Sequence, residues 1–257
     1  MAEWPIEVRR NRRTLMPRTL LVYAVILLFL LVLGPPLILW SLIIGNTDTL
    51  YSVGVSSARV ALRVAGVRLI VIGTEKIPAG KAVVFMANHQ SNCDPPAVAA
   101  VLPPVLIMAK KEFFRIPIMG TGMRMRGFIP VDRSNRERAF QAVDEAVASL
   151  KAGHSFLAFP EGTRSTTGRL QRFKRGVFVM AIKAGVPIVP ISVSGASKIM
   201  HRGGFRIHPG PVRITIHDSI PTAGCRIADR SRIADQVREA IIEGLLPEER
   251  PLGPHED

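Results

Sequence analysis

Cysteine, aromatic side chains and acidic charge are all scarce in this chain. The two cysteines, Cys93 and Cys225, form neither a metal-ligand spacing nor a disulfide framework. Aromatic residues are only 6% of the chain and no nucleic-acid-binding motif is present, which argues against nucleic acid as the reason for the net charge of +14. A P-loop, an H-E-x-x-H zinc pattern and a G-x-S-x-G nucleophile elbow are also missing. The charge then favours an anionic membrane surface or a phosphorylated substrate.

Charge is absent altogether between Arg18 and Asp48, a stretch of roughly 29 residues that follows Arg9, Arg10, Arg12 and Arg13. One bilayer span needs about 20 apolar residues, so this segment can cross once but not twice. The basic flank would keep the amino terminus cytoplasmic. Gly34-Pro35-Pro36 interrupts the run, and consecutive prolines kink or break a helix. Two arrangements therefore stay open: a single span, or a bent or paired-helix element that returns to the same side.

The rest of the chain alternates between apolar strand patterns and helix patterns. Strands are predicted at Val67–Ile72, Val83–Met86, Val105–Ala109, Phe128–Val131, Ser155–Phe159, Pro187–Val193 and Val212–Ile216. This alternation predicts an α/β fold with a largely parallel or mixed sheet flanked by helices, behind an N-terminal membrane-embedded helical element. We expect residues 1–66 to form that element, residues 67–247 the main domain and residues 248–257 a loose tail.

Two segments have two interpretations each. The amphipathic stretch Asp48–Val64 fits a second interfacial helix or an ordinary surface helix. Phe113–Gly127 is expected to be irregular, and its methionines, Met119, Met123 and Met125, suit either an acyl-chain wall or core filling.

Polar clusters follow four of the predicted strands: His89 with Asp94, then Lys110, Arg133, and Glu161 with Arg164. Ligands of open α/β sheets bind outside the carboxyl ends of the strands.

Asp94-Pro95 predicts a helix start with Asp94 as the N-cap. The loop between them is long enough to bring the Asp94 carboxylate to Nδ1–H of His89, which leaves Nε2 free as a base. The alternative is a helix cap beside an ordinary loop histidine.

The segment Phe159–Ser165 is dense in groups that bind phosphate. Arg164 offers a planar fork of donors, Gly162 lets a ligand approach the backbone, and Thr163 adds a hydroxyl. Glu161 would orient Arg164 or accept from a substrate hydroxyl. The alternative is a tight polar turn with a structural Glu–Arg pair.

Four sequence blocks occur in a fixed order: N-H-x-S-x-x-D at Asn88–Asp94, a Gly-to-Arg block at Gly127–Arg133, F-P-E-G-T-R-S at Phe159–Ser165 and V-P-I-V-P at Val186–Pro190. With A-K-K-E from Ala109 and F-K-x-G from Phe173, they cover about Val67–Gly195. In these blocks the chain resembles the 1-acylglycerol-3-phosphate (lysophosphatidic acid) acyltransferases of the glycerolipid acyltransferase superfamily. No block is recognised beyond Ser197.

The resemblance implies acyl transfer from a thioester to the free sn-2 hydroxyl of 1-acylglycerol 3-phosphate. It makes His89 the general base and Asp94 the residue that orients it, with direct attack and no covalent enzyme intermediate. It assigns the acceptor phosphate to Arg133, Glu161, Gly162, Thr163 and Arg164, with Lys110 as a helper. The implied donor is acyl-CoA or an acyl-carrier protein, and neither a bound cofactor nor a metal is expected.

Cytosolic substrates favour the same-side arrangement, at the inner membrane with the catalytic part on the cytoplasmic side. Membrane lipid is the expected partner, nucleic acid is not, and an acyl-carrier protein is a further candidate. Two alternatives remain: a relative that acylates another acceptor, such as a lyso-aminolipid or glycerol 3-phosphate, and a non-catalytic membrane-anchored binding protein.

Overall fold

A seven-stranded mixed sheet forms the centre of the molecule in the computed structural model, which describes residues 12–132 and 135–253. The strands are β1 (Val67–Ile72), β2 (Val84–Ala87), β3 (Val105–Lys110), β4 (Ile129–Val131), β5 (Ser155–Ala158), β6 (Ile188–Ser194) and β7 (Gly210–Ile216). Their spatial order is β1-β7-β6-β2-β5-β3-β4, and every neighbouring pair is parallel except β6 with β7. This topology confirms the predicted fold class. The apolar runs bounded by turn residues form its buried strands.

Helices cover both faces of this sheet. They are α1 (Arg12–Leu28), α2 (Gly34–Ile44), α3 (Asp48–Val64), α4 (Asp94–Ala99), α5 (Met119–Arg126), α6 (Arg136–Lys151), α7 (Phe178–Ala184), α8 (Ala196–Ile199) and α9 (Arg230–Gly244). One apolar core joins the sheet to α1, α3, α4 and α8 and includes Val22, Leu62 and Val98. The second core lies on the opposite face, under α6, α7 and α9, and includes Leu150, Phe178 and Ile233.

Helix α5 corrects the expectation that Phe113–Gly127 is irregular. Glycine is a weak helix former and α5 contains two glycines, but Gly120 has another reason to be there. A β-carbon at Gly120 would collide with the backbone of Phe114, so the glycine lets two backbone segments pack closely. Tertiary packing therefore decides the conformation of this segment.

The uncharged amino-terminal segment is one helical stretch, and its prolines do not break it. Within the described residues, Leu15–Ile44 is long and apolar enough to cross a membrane by length and composition. The five residues Phe29–Leu33 between α1 and α2 form a π-helical turn. This turn accommodates Pro35 and Pro36, which have no N–H to offer the preceding carbonyls. The chain reverses later, at Gly45, whose φ of 69° is left-handed.

Helix α3 then returns along α1 and α2, so these helices form a hairpin that packs on the sheet domain. The guanidinium of Arg59 donates to the Ala100 carbonyl at 3.0 and 2.7 Å, and the Tyr51 hydroxyl accepts from the Val105 N–H at 3.1 Å. The opposite side of the hairpin lacks protein cover: Leu20, Leu27, Leu31, Trp40, Leu42 and Ile43 are each more than half exposed. An apolar surface of this extent indicates contact with a membrane or a partner.

The carboxyl-terminal segment is packed rather than loose just after Pro247. Residues Pro247–Glu249 form a 3-10 turn, and the Glu249 side chain is 2% exposed. Its carboxylate accepts from the Gly195 N–H at 2.7 Å. The expectation of a loose tail did not include this contact, in which Glu249 supplies the acceptor that the buried Gly195 N–H requires.

Candidate active site

Three of the four predicted polar segments meet at one edge of the sheet. The parallel strands β2, β5, β3 and β4 are neighbours, so the residues that follow them lie at the same edge. His89 follows β2, Glu161 follows β5, and Lys110 is the last residue of β3. Arg133, predicted to follow β4, lies outside the described residues.

His89 and Asp94 form a direct pair. The Nδ1 atom of His89 lies 2.8 Å from Oδ2 of Asp94, as the loop length suggested. The same oxygen accepts from the backbone N–H groups of Gln90 at 2.6 Å and Ser91 at 2.7 Å. The Asp94 side chain is fully buried, whereas the His89 side chain is 16% exposed. With Nδ1–H donating to the carboxylate, Nε2 carries the free lone pair, and it has no partner within residues 12–132 and 135–253.

Asp94 does not act as the predicted N-cap. Helix α4 begins at Asp94 itself and is preceded by Cys93, which makes no side-chain capping bond. The carboxylate instead points back to the loop, where three N–H donors hold it. Asp94-Pro95 does mark a helix start, but the acidic side chain orients the histidine.

The backbone of His89 is held by the segment that follows β5. Its N–H donates to Oε1 of Glu161 at 2.6 Å, and its carbonyl accepts from the Ser165 N–H at 2.8 Å. The Phe159 ring stacks on the imidazole, with 4.4 Å between the ring centroids. Two loops that are about 70 residues apart in sequence therefore fix the position of one ring.

Glu161 does not take the first of the two roles considered for it, that of orienting Arg164. It makes no ion pair with Arg164 in the described part of the chain, and its second oxygen accepts from the Gln171 N–H at 3.3 Å. The side chain is 3% exposed, and burial raises its pKa to about 8, because a charged carboxylate is disfavoured away from water. A buried carboxyl group bound to backbone donors supports the histidine loop and is poorly placed to meet a phosphate.

The turn at Gly162–Arg164 is partly exposed and carries the Thr163 hydroxyl and the Arg164 guanidinium. Gly162 has φ 70°, a left-handed conformation that favours glycine, and Thr163 and Arg164 are half-buried. Among the described residues the Arg164 guanidinium has no ion-pair partner. The Lys174 side chain lies over this turn. A β-carbon added at Gly162 would come within 3.1 Å of the Lys174 Nζ. Arg164 and Lys174 are the two cationic side chains at this turn, and both are of the kind that binds phosphate.

Lys110 lies at the same edge but is held less firmly. Its Nζ is 3.5 Å from Oε1 of Glu112, and its side chain is half exposed. The neighbouring Lys111 donates to Asp132 at 2.7 Å and so connects the ends of β3 and β4.

Sequence reasoning missed Phe159 and Lys174 as parts of the site. Both occur within the blocks that carry the resemblance, and that membership was the available signal. Their contacts with His89 and Gly162 depend on the tertiary fold, which no local pattern specifies.

An apolar cavity of about 260 Å³ opens between the hairpin, α4 and α5. Pro95 and Pro96, which directly follow Asp94, form part of its wall, and Met119 and Met123 form another part. Ile118 also lines it with a φ of 64°, which is unusual for a β-branched residue, and its side chain lies against Gly34. The cavity wall therefore includes the start of helix α4, whose first residue is Asp94, and this wall is largely apolar.

Comparison with known proteins identifies similar sequences. The sequence model of the family described as Acyltransferase matches residues 68–194. A 1-acyl-sn-glycerol-3-phosphate acyltransferase of Chlamydomonas reinhardtii is 33% identical over 183 residues, covering 70% of this chain and 54% of that protein. A chloroplastic one of Brassica napus is 36% identical over 175 residues, covering 67% and 49%. The chain therefore spans about half the length of these relatives.

A bacterial relative and a solved structure match over more of their length. The 1-acyl-sn-glycerol-3-phosphate acyltransferase of Borreliella burgdorferi is 29% identical over 188 residues, covering 73% of this chain and 75% of that protein. The crystal structure of the 1-acyl-sn-glycerophosphate (LPA) acyltransferase from Thermotoga maritima superposes with a TM-score of 0.79. It shares 26% sequence identity and covers 91% of this chain and 95% of that one.

Proposed function

Because the chain belongs to the acyltransferase family, we propose that it transfers an acyl group from a thioester to the sn-2 hydroxyl of 1-acylglycerol 3-phosphate, giving phosphatidic acid. The observation that carries the proposal is the 2.8 Å contact between His89 and Asp94 at the sheet edge. The names of the relatives support this acceptor, and the cationic turn at Arg164 supports a phosphate-bearing one.

In the proposed reaction His89 acts as a general base. Its Nε2 takes the proton from the acceptor hydroxyl as the oxygen attacks the thioester carbonyl carbon. The carbon–sulfur bond then breaks, and the leaving thiolate receives the proton from the imidazolium. Asp94 keeps Nδ1 protonated and stabilises the imidazolium by its charge. A thioester is already activated, so the reaction requires no covalent enzyme intermediate.

Arg164 is the proposed anchor for the acceptor phosphate, with Gly162 and Thr163 supplying backbone and hydroxyl contacts. Lys174 joins this group on the strength of its position over Gly162. Lys110 and Arg133 stay in the proposal as further cations, while Glu161 is reassigned to holding the His89 loop. The donor is acyl-CoA or an acyl-carrier protein, whose acyl chain would occupy the apolar cavity.

The proposed placement is at the inner membrane, with the hairpin inserted from the cytoplasmic side. Residues 1–66 would be the membrane-binding element and residues 67–247 the catalytic domain. The support is geometric: both ends of the described hairpin lie on the sheet domain, with Arg18 beside Gly66, while its outer side is apolar and exposed.

An assay on purified protein in lipid nanodiscs tests the activity. Labelled acyl-CoA or acyl-carrier protein is offered with lysophosphatidic acid, glycerol 3-phosphate or a lyso-aminolipid, and His89→Ala serves as the blank. We expect label in phosphatidic acid with the first acceptor. Preference for another acceptor would change the substrate, and no transfer to any of them would favour a non-catalytic binding protein.

A further inference from the structure

The loop His201–His208, between α8 and β7, lies outside every block of the resemblance. Arg202 and Arg206 are exposed, the loop has no acidic residue, and its Phe205 side chain is 54% exposed. The guanidinium of Arg206 lies 5.7 Å from the centroid of the Phe205 ring. An exposed aromatic ring between two arginines is a composition typical of protein segments at a lipid–water interface.

This loop is attached to the first helix of the hairpin. The Thr19 hydroxyl oxygen accepts from the Ile207 N–H at 3.0 Å, and the Tyr23 hydroxyl donates to the Phe205 carbonyl at 3.1 Å. Thr19 and Ile207 are buried in this contact, whereas Leu20 and Leu21 of the same helical turn are more than half exposed. The backbone at Phe205 is therefore attached to the helix that carries this exposed apolar surface.

The same loop is also attached to the proposed phosphate site. The Arg202 guanidinium donates to the Arg164 carbonyl at 2.8 Å. A displacement of the loop would thus be transmitted to the turn that presents Arg164.

We propose that His201–His208 is a second membrane-contact element, which binds anionic lipid headgroups through Arg202 and Arg206 and buries the Phe205 ring at the interface. It would hold the Arg164 turn at the depth of lipid phosphates. The proposal rests on the same-side insertion of the hairpin. Lipid is favoured over an acidic protein because the charged loop is continuous with the exposed apolar side of α1, and a lipid surface satisfies both properties at once.

Fluorescence in nanodiscs of phosphatidylglycerol and phosphatidylcholine, with and without brominated acyl chains, tests membrane contact directly. Phe205→Trp is compared with Phe140→Trp, each in a Trp4→Phe, Trp40→Phe background. Phe140 is 57% exposed on α6, on the opposite face of the sheet from the hairpin, and so is a matched control. We expect brominated lipid to quench the tryptophan at position 205 and not the one at position 140. Equal quenching at the two positions would overturn the proposal, even if no acyl transfer were detected.

Kinetics with acceptor in the bilayer give a second measurement. Arg206→Gln should raise KM for bilayer-presented lysophosphatidic acid about fivefold and leave kcat unchanged, since one basic residue near an anionic surface contributes about that factor. The increase should become smaller when phosphatidylglycerol is replaced by phosphatidylcholine, so that the acceptor is the main anionic lipid left. An increase confined to the KM for acyl-carrier protein would assign the loop to an acidic protein instead.

Discussion

At the scale of single residues, His89 is the point at which separate parts of the chain meet. Asp94 binds its ring, Phe159 stacks on it, and Glu161 and Ser165 hold its backbone. The backbone bonds do not depend on the side chain, so the loop should survive replacement of the imidazole.

His89→Ala should therefore lower kcat by roughly 10²–10⁴-fold, the effect typical of losing a general base, with little change in folding. Initial rates with saturating donor and acceptor measure the loss, and circular dichroism with a thermal melt checks the fold. Near-full activity in a folded variant would show that His89 is not the general base.

Glu161 provides a prediction about pH. Its pKa is raised from 4.5 to about 8 in the folded protein, so between these values the folded state holds a proton that the unfolded state has lost. The contribution of this group to the free energy of unfolding should consequently be largest below about pH 4.5. That contribution should fall as the pH rises toward about 8. Glu161→Gln keeps an acceptor for the His89 N–H and cannot ionise.

Thermal melts of both proteins across this pH range measure the difference. We expect the stability of the wild type to decrease relative to Glu161→Gln as the pH rises. Parallel curves would mean that the carboxyl group titrates at its ordinary pKa and that burial does not protect the proton.

At the scale of elements, the sequence predicts best what depends on neighbours in the chain. The strands follow from apolar runs, and the His89–Asp94 contact follows from a five-residue separation. The reassigned partner of Glu161 could not be predicted, because His89 is 72 residues away. Helix α5 was missed for a similar reason, since the close approach of Gly120 to Phe114 is a tertiary contact.

The carboxyl-terminal turn is a further element whose role depends on tertiary contacts. Glu249 is buried and accepts from the buried Gly195 N–H, whereas its neighbour Glu248 forms an exposed pair with Lys198 at 3.0 Å. Glu249→Ala should lower the free energy of unfolding by about 1–3 kcal/mol, because a buried donor loses its acceptor.

Denaturant unfolding of Glu249→Ala and Glu248→Ala measures this difference. The Glu248 variant is the control, since an exposed ion pair contributes at most about 1 kcal/mol. Glu249→Gln, which retains an acceptor oxygen, should be milder than Glu249→Ala. Equal losses for the two alanine variants would contradict a specific role for the buried carboxyl group.

At the scale of the whole molecule, the cavity exists only where the hairpin meets the sheet domain. Ala58 of α3 lines it, and Ser56 of the same helix is exposed. Ala58→Leu should fill part of the space and raise the ratio of kcat/KM for short over long acyl donors by about tenfold. Ser56→Leu adds leucine to the same helix outside the cavity and should leave the ratio unchanged. A shift common to both variants would indicate that the cavity does not bind the acyl chain.

The same packing restricts how the molecule can meet a bilayer. A helix of 30 residues is about 45 Å long and could span, but only by leaving the domain along which it lies. That separation would break the contacts of Gly34 with Ile118 and of Thr19 with Ile207 and expose their apolar surfaces. Insertion of the intact hairpin from one side keeps these contacts and covers the exposed leucines with lipid.

We therefore expect protease to reach residues 67–247 only from the cytoplasmic side. A protease site inserted at Ala152-Gly153, in the exposed turn between α6 and β5, should be cleaved in inside-out vesicles and protected in right-side-out vesicles. A periplasmic marker and detergent lysis serve as controls for vesicle sealing. Cleavage in sealed right-side-out vesicles would instead support a single span with the domain exported, in which the hairpin contacts described above are broken.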